Sequence, residues 1–369
     1  MIYCLLAIQL KIQLDLPLPM SKVSMPSKIF GTVLSHGLRG RMLTKNELQN
    51  LAESRDLEEL VTRMKNTIYL DAFAKLTKPY TAEKVETALR EYLVNTHAKI
   101  VNIAGGGGIL NAYFVKYITW NLKLVLKGKA LYKSYEELLP RINLRAEELV
   151  GRRDLVVKAL VAKDLDEAVS ALAGSEFAED AAKAASAYKE RGDLRVFDTY
   201  LDHAFYKSLD RAMVTEAQSQ DTKKVVSTDI DSYNVLAILR GKYWNLNPVE
   251  INDLIVTTTP KVTRETLQKM INYEKISEAI GELASTVYKE IIPQAAKNDI
   301  DAIMQLESGF EAIGLRRIIS SFRTMFSVSI MLSALKLLMV EIRNLCAITS
   351  GVEQRVPVDA IIANLVRPE

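Results

Sequence analysis

Asp229 and Asp231 stand two residues apart, with Glu250 further along, and are the carboxylates of this chain best placed for chemistry. Hard oxygen ligands of this kind hold a divalent cation, which can activate water for hydrolysis. A metal-dependent helical enzyme built on these three acids is one reading. The other makes Asp229, or Thr228 before it, the N-cap of a helix and Asp231 a first-turn acid facing the positive end of the helix dipole. The second reading asks for nothing beyond a helix and is preferred.

The remaining candidates are sparse. His36, His97 and His203 are isolated from one another and from Cys4 and Cys346, and a lone His on a helix is ordinarily structural. No His-Glu-x-x-His, Cys-x-x-Cys, Gly-x-Ser-x-Gly or Walker sequence occurs. The run Gly105-Gly106-Gly107-Gly108 is followed by Ile109-Leu110-Asn111 rather than by the Lys-Ser/Thr of a phosphate-binding loop, so it reads as a flexible connection. Tyr113, Phe114, Tyr117 and Trp120 form an aromatic stripe at helical spacing. Core packing is its first reading and a partner-binding surface its second. Two cysteines so far apart fit a reducing compartment and no disulfide framework.

The elements that must position these residues repeat. Asn121 is followed by apolar residues one and four positions on and by Gly128 seven positions on. Asn234 leads in the same way to Gly241, and Asn344 to Gly351. The copies are 234−121 = 113 and 344−234 = 110 residues apart. Those offsets share one helix face, and each Gly is expected to end its helix in the left-handed conformation that glycine enters without steric cost. Lys127 and Arg240 precede the first two glycines, where a cation suits the helix dipole. The three asparagines are expected to be buried at least in part and hydrogen-bonded, because a buried amide without partners is costly.

The similarity extends on both sides. Ser134-Tyr135-Glu136-Glu137 and Asn247-Pro248-Val249-Glu250 have the chemistry of capping boxes, while Val356-Pro357-Val358-Asp359 keeps the Pro and the acid with a poorer cap. Upstream, the segments beginning at Leu57, Leu165 and Ile276 resemble one another at spacings of 108 and 111 residues. The repeat is thus a whole small helical unit, far longer than a solenoid repeat. Helical periodicity holds nearly throughout from Ile29, and no segment alternates as a strand would. The fold class read from this is all-α, with an N-terminal extension at 1–28 and units at 29–150, 151–258 and 259–369. Thr257-Thr258-Thr259-Pro260 marks the last boundary.

Composition bounds the rest. A chain of 369 residues with 49% hydrophobic and 25% charged residues is that of a well-packed protein of two or three domains. A formal charge of +3, from 48 basic and 45 acidic residues, is too balanced to argue for nucleic acid. The apolar start from Met1 is cut by Lys11, too early to span a bilayer, and has no basic segment ahead of it as a secretory signal would. Met20 and Met25 are plausible alternative starts.

The segment Glu341-Ile342-Arg343-Asn344-Leu345-Cys346-Ala347-Ile348, with Gly351 and a helix after Pro357, resembles the C-terminal signature of the C subunit of archaeal A-type ATP synthases, the counterpart of the d subunit of V-type ATPases. Asp231-Ser232-Tyr233-Asn234 through Leu239-Arg240-Gly241-Lys242 is similar to the same family's central segment. The resemblance covers about residues 29 to 366. It departs at Ile118, where the other copies have Asp231 and Glu341, and at Lys127, where the second has Arg240. What it implies is a funnel of three similar helical domains around a pseudo-threefold axis, with no active site, cofactor, metal or small-molecule substrate. The implied place is the cytoplasmic side of the membrane, peripheral, between the D and F subunits of the central shaft and the membrane proteolipid ring. The implied role is to couple ATP synthesis or hydrolysis to proton or sodium transport.

Overall fold

The computed structural model describes residues 23–105, 108–215, 219–256 and 261–366, and every regular element among them is helical. Most of the expected extension, with Cys4, two of the four glycines and the linker at 257–260, lies outside the described residues.

The chain opens with α1 (Met25–Arg39), followed by α2 (Lys45–Ala52), α3 (Leu57–Met64), α4 (Leu70–Phe73) and the long α5 (Ala82–Ile103). Helix α6 (Gly108–Ala112) leads into α7 (Phe114–Ala130), which carries Asn121, and then into α8 (Tyr135–Leu138) and α9 (Arg145–Leu149). Next come α10 (Arg153–Val161), α11 (Leu165–Ser170), α12 (Ala178–Arg191) and α13 (Arg195–Thr215). Asn234 lies on α14 (Gln220–Tyr243), which precedes α15 (Pro248–Asp253), α16 (Arg264–Asn272), α17 (Ile276–Gly281) and α18 (Asp299–Ser321). The chain closes with α19 (Val328–Glu353), carrying Asn344, and α20 (Val358–Ala363).

Local chemistry sets many of these ends. Thr44 with Glu47, Ser134 with Glu137 and Asn247 with Glu250 form complete capping boxes, while Pro357 at the start of α20 supplies no side-chain cap. Each such cap stabilises its helix by roughly 1 kcal/mol. Two expectations need correction. The helix expected from Ile29 begins at Met25, capped by Ser24 with Pro in its first turn, so 25–28 are helical. Helix α14 begins at Gln220 under a Ser219 cap, so Thr228 and Asp229 are not its N-cap and Asp231 is not a first-turn acid. Val225, Val226 and Ile230 are buried, and tertiary packing carries the helix well upstream of the expected start.

Packing follows one scheme three times. Helix α7 lies on α10, α11 and α13; α14 lies on α16, α17 and α18; α19 lies on α2, α3 and α5. The first two Asn-bearing helices therefore pack on helices that follow them, across the sequence positions 150 and 258. The last one does the same with early helices of the chain, so the order closes on itself.

Candidate functional site

Each repeat asparagine holds the backbone 22 residues downstream. Asn234 Nδ2 donates to the Val256 carbonyl at 3.2 Å, and its Oδ1 accepts from the Val256 N–H at 3.0 Å. Asn344 makes the same pair of bonds with Val366, at 2.6 and 3.0 Å. Asn121 Nδ2 donates to the Asn143 carbonyl at 2.8 Å and to Glu147 at 2.7 Å. All three amides are buried. Their bonds fold the segment after each short helix back onto the long one, satisfying backbone groups that burial would otherwise orphan.

The repeat glycines do something other than expected. They do not end their helices: α7, α14 and α19 run two residues past Gly128, Gly241 and Gly351. The left-handed residues lie four positions beyond the glycines, at Tyr132, Asn245 and Arg355, with φ of 57°, 56° and 55°. The N–H groups of Lys133, Leu246 and Val356 return to the glycine carbonyls at 2.9, 2.9 and 2.8 Å, closing a Schellman-type cap. What needs glycine is a close approach. A Cβ on Gly128 would lie 2.4 Å from Leu138, on Gly241 2.9 Å from Ile251, and on Gly351 2.6 Å from Ile361. The short helix of each copy seats its apolar side chain in the notch left by the missing Cβ.

A second repeated device was legible only in part. Asp231 accepts from the Tyr288 hydroxyl at 2.7 Å and from the N–H groups of Val262 and Lys261 at 3.2 and 3.3 Å. Glu341 accepts from the Tyr69 hydroxyl and, at 2.8 Å, from the Leu43 N–H. Burial raises both carboxyl pKa values, that of Glu341 to about 7. Tyr69 and Tyr288 were missed by sequence reasoning. Their signal was there: Thr67-x-Tyr69, Ser175-x-Phe177 and Thr286-x-Tyr288 recur at 177−69 = 108 and 288−177 = 111 residues, the spacing of the upstream repeat. In each, the hydroxyl two residues earlier accepts from the ring residue's N–H.

These placements separate the three acids of the metal reading. Asp229 is ion-paired with Lys336 and accepts from the Tyr113 hydroxyl at 2.6 Å. Asp231 is engaged as above, and Glu250 is held by the Asn247 cap and Arg191. The three carboxylates thus serve different neighbours. The described residues contain no group of three or more His, Cys, Asp or Glu arranged to hold a metal. Of the histidines, His97 is buried, stacked on Phe114 at 4.1 Å and bonded to Tyr117 and the Leu110 carbonyl, while His203 meets Asp180 at 2.7 Å. The aromatic stripe is mostly core: Tyr113, Phe114 and Tyr117 are buried, and Trp120 is half-buried.

The site that the tertiary structure does assemble is a cavity of about 850 Å³ lined by α7, α14 and α19 together, with α13 and α18 completing the wall. Its charges are largely paired across helices. Lys123 bridges Asp202 at 2.7 Å and Asp198 at 3.8 Å, Arg240 meets Glu307 at 2.7 Å, and Arg343 meets Glu311. None of these pairings is visible in the sequence, because the partners are set by helix packing over separations of tens of residues.

Helix order, the thrice-repeated asparagine and glycine notches, and the shared charged cavity define an all-helical protein built on one internal repeat. The chain belongs to the ATP synthase (C/AC39) subunit family, whose profile matches residues 32–363. The A-type ATP synthase C subunit of Methanocaldococcus jannaschii is 26% identical over 319 residues, covering 83% of this chain and 77% of that one. The A-type ATP synthase C subunit of Pyrococcus furiosus is 27% identical over 347 residues, covering 90% and 85%. No described helix is long and apolar enough to cross a membrane.

Proposed function

We propose that this chain is the non-catalytic central-stalk subunit of an A/V-type ATP synthase, joining the rotating shaft to the membrane proteolipid ring. The observation that carries this reading is the cavity walled by all three repeat helices. Three similar units in a funnel with pseudo-threefold arrangement leave one opening in which one asymmetric element can seat. Torque transmission also calls for a wall without a loose end. The contacts of α19 with the early helices answer that need: Tyr69 and Leu43 bind Glu341, the Ala82 N–H donates to Glu353 at 2.7 Å, and Ser350 donates to Glu86 at 3.0 Å. In this role the partners are the D and F subunits of the shaft on one side and the proteolipid ring on the other. The protein is then peripheral, on the cytoplasmic side of the membrane, and needs no cofactor.

Reconstitution of the complex with and without this chain tests the role. Without it, ATP hydrolysis by the soluble head should persist while ATP-driven ion transport is lost. Ion pumping at normal efficiency in its absence would refute the coupling role.

A further inference from the structure

We propose that Lys116 is an anion-accepting site on the cavity wall, and that its ligand is a carboxylate carried by the shaft polypeptide that enters the cavity. The inference rests on the shaft-seating reading above and adds a residue and a chemistry to it.

The charge pattern of the wall carries the argument. Lys123, Arg240, Lys336 and Arg343 each hold at least one carboxylate within 4 Å. Lys116 lines the same cavity and, among the described residues, has no ion pair. Its Nζ instead sits 5.9 Å from the centre of the Trp120 ring and 6.0 Å from that of Phe205. Ring faces attract a cation but offer no lone pair to the three ammonium N–H groups. The carboxylates whose fields reach it, Asp229 and Asp202, are committed to Lys336 and Lys123. Burial, with the charges of Lys336 and Arg343, pulls the Lys116 pKa down against the opposing fields of Asp229 and Asp202, so a cation here is held at a cost that an arriving anion would offset.

Size and charge choose the anion. A cavity of about 850 Å³ takes roughly two turns of one α-helix, at a diameter of about 10 Å and a pitch of about 5.4 Å per turn. A helix end or a short acidic tip therefore fits, whereas a folded domain does not. The other cations of the wall are already paired, so an incoming anion finds one free ammonium. A carboxylate brings the single charge that matches it, whereas a dianionic phosphate would leave a second charge facing Asp229 and Asp202.

The test is calorimetric binding of the purified shaft, its D and F subunits together, to the full chain. Lys116→Gln should weaken the dissociation constant at least about tenfold and lower its salt dependence, as loss of a charged hydrogen bond predicts. Lys116→Arg should keep most of the affinity. In dimethyl-lysine NMR of the wild-type chain, the Lys116 pKa should rise on shaft binding and stay put on titration with inorganic phosphate. A Gln variant that binds the shaft as the wild type does overturns the inference and leaves the seating role intact. A wild-type chain that does not bind the shaft overturns both. Saturable phosphate binding at Lys116 overturns the choice of a carboxylate.

Discussion

Tyr69 donates its hydroxyl hydrogen to Glu341, a residue 272 positions further along the chain, and so ties the last long helix to the first short ones. Tyr288 does the same for Asp231, tying the second Asn-bearing helix to the segment after position 258. Counted three residues before each repeat asparagine, Glu341 and Asp231 correspond to Ile118, and their tyrosine partners correspond to Phe177. The copy that lacks the carboxylate also lacks the hydroxyl. Removing both partners of a buried hydrogen bond leaves nothing unsatisfied, whereas removing one does.

Single changes at these positions should therefore be costly in opposite chemical senses. Tyr69→Phe leaves Glu341 with one donor fewer and should destabilise by roughly 1–3 kcal/mol. Phe177→Tyr puts a hydroxyl into a buried site whose repeat equivalent of the carboxylate is Ile118, and should cost a similar amount, roughly 1–3 kcal/mol. Urea unfolding midpoints decide the matter. Equal stability of Phe177→Tyr and wild type would show that the hydroxyl finds a partner there.

The glycine notches predict an order. Gly128→Ala and Gly351→Ala, whose added methyl groups would meet Leu138 and Ile361 at 2.4 and 2.6 Å, should each cost roughly 1–3 kcal/mol. Gly241→Ala, at 2.9 Å from Ile251, should cost least. In a free helix the same change would stabilise by about 1 kcal/mol, so a gain at Gly128 or Gly351 would refute the notch.

At the caps the direction reverses. Tyr132 and Arg355 hold left-handed backbone that glycine adopts freely, so Tyr132→Gly and Arg355→Gly should stabilise by up to about 1 kcal/mol. Asn245→Gly should change little, because asparagine already tolerates that conformation. Thermal midpoints of the three variants give the comparison.

Glu341 makes stability depend on pH. Its folded pKa of about 7 exceeds the ordinary 4.5, so the folded state keeps a proton that the unfolded state has released. Its contribution is complete below about pH 4.5, falls as pH rises toward 7, and is flat above, with a total of up to about 3 kcal/mol. Glu341→Gln should remove that fall when unfolding free energies are measured across the window.

His97 acts in the opposite direction. Burial lowers its pKa from 6.5 to about 3, so the folded state stays neutral where the unfolded state is protonated. Stability from this group is complete above about pH 6.5 and is lost as pH falls toward 3, by up to about 5 kcal/mol. The two effects oppose each other between about pH 4.5 and 6.5. The Glu341→Gln chain should therefore gain stability with rising pH more steeply than the wild type in that window. A slope identical to that of the wild type would refute the opposition.

The sequence by itself determined the helices, their boxes at Ser134 and Asn247, the repeat carried by Asn121, Asn234 and Asn344, and through these the family. Such features are written in residues a few positions apart, where capping and periodicity act, and a repeat displays them three times. Tertiary structure alone decided the rest. It made the glycines notches rather than helix stops, because whether Gly128 faces open space or Leu138 depends on where the next helix lies. It moved the start of α14 upstream of Asp229, because buried neighbours extend a helix beyond its local signals. It gave Asp231 to Tyr288 and Glu341 to Tyr69, and it left Lys116 without a carboxylate, because partner choice between distant segments is settled by packing and not by spacing along the chain.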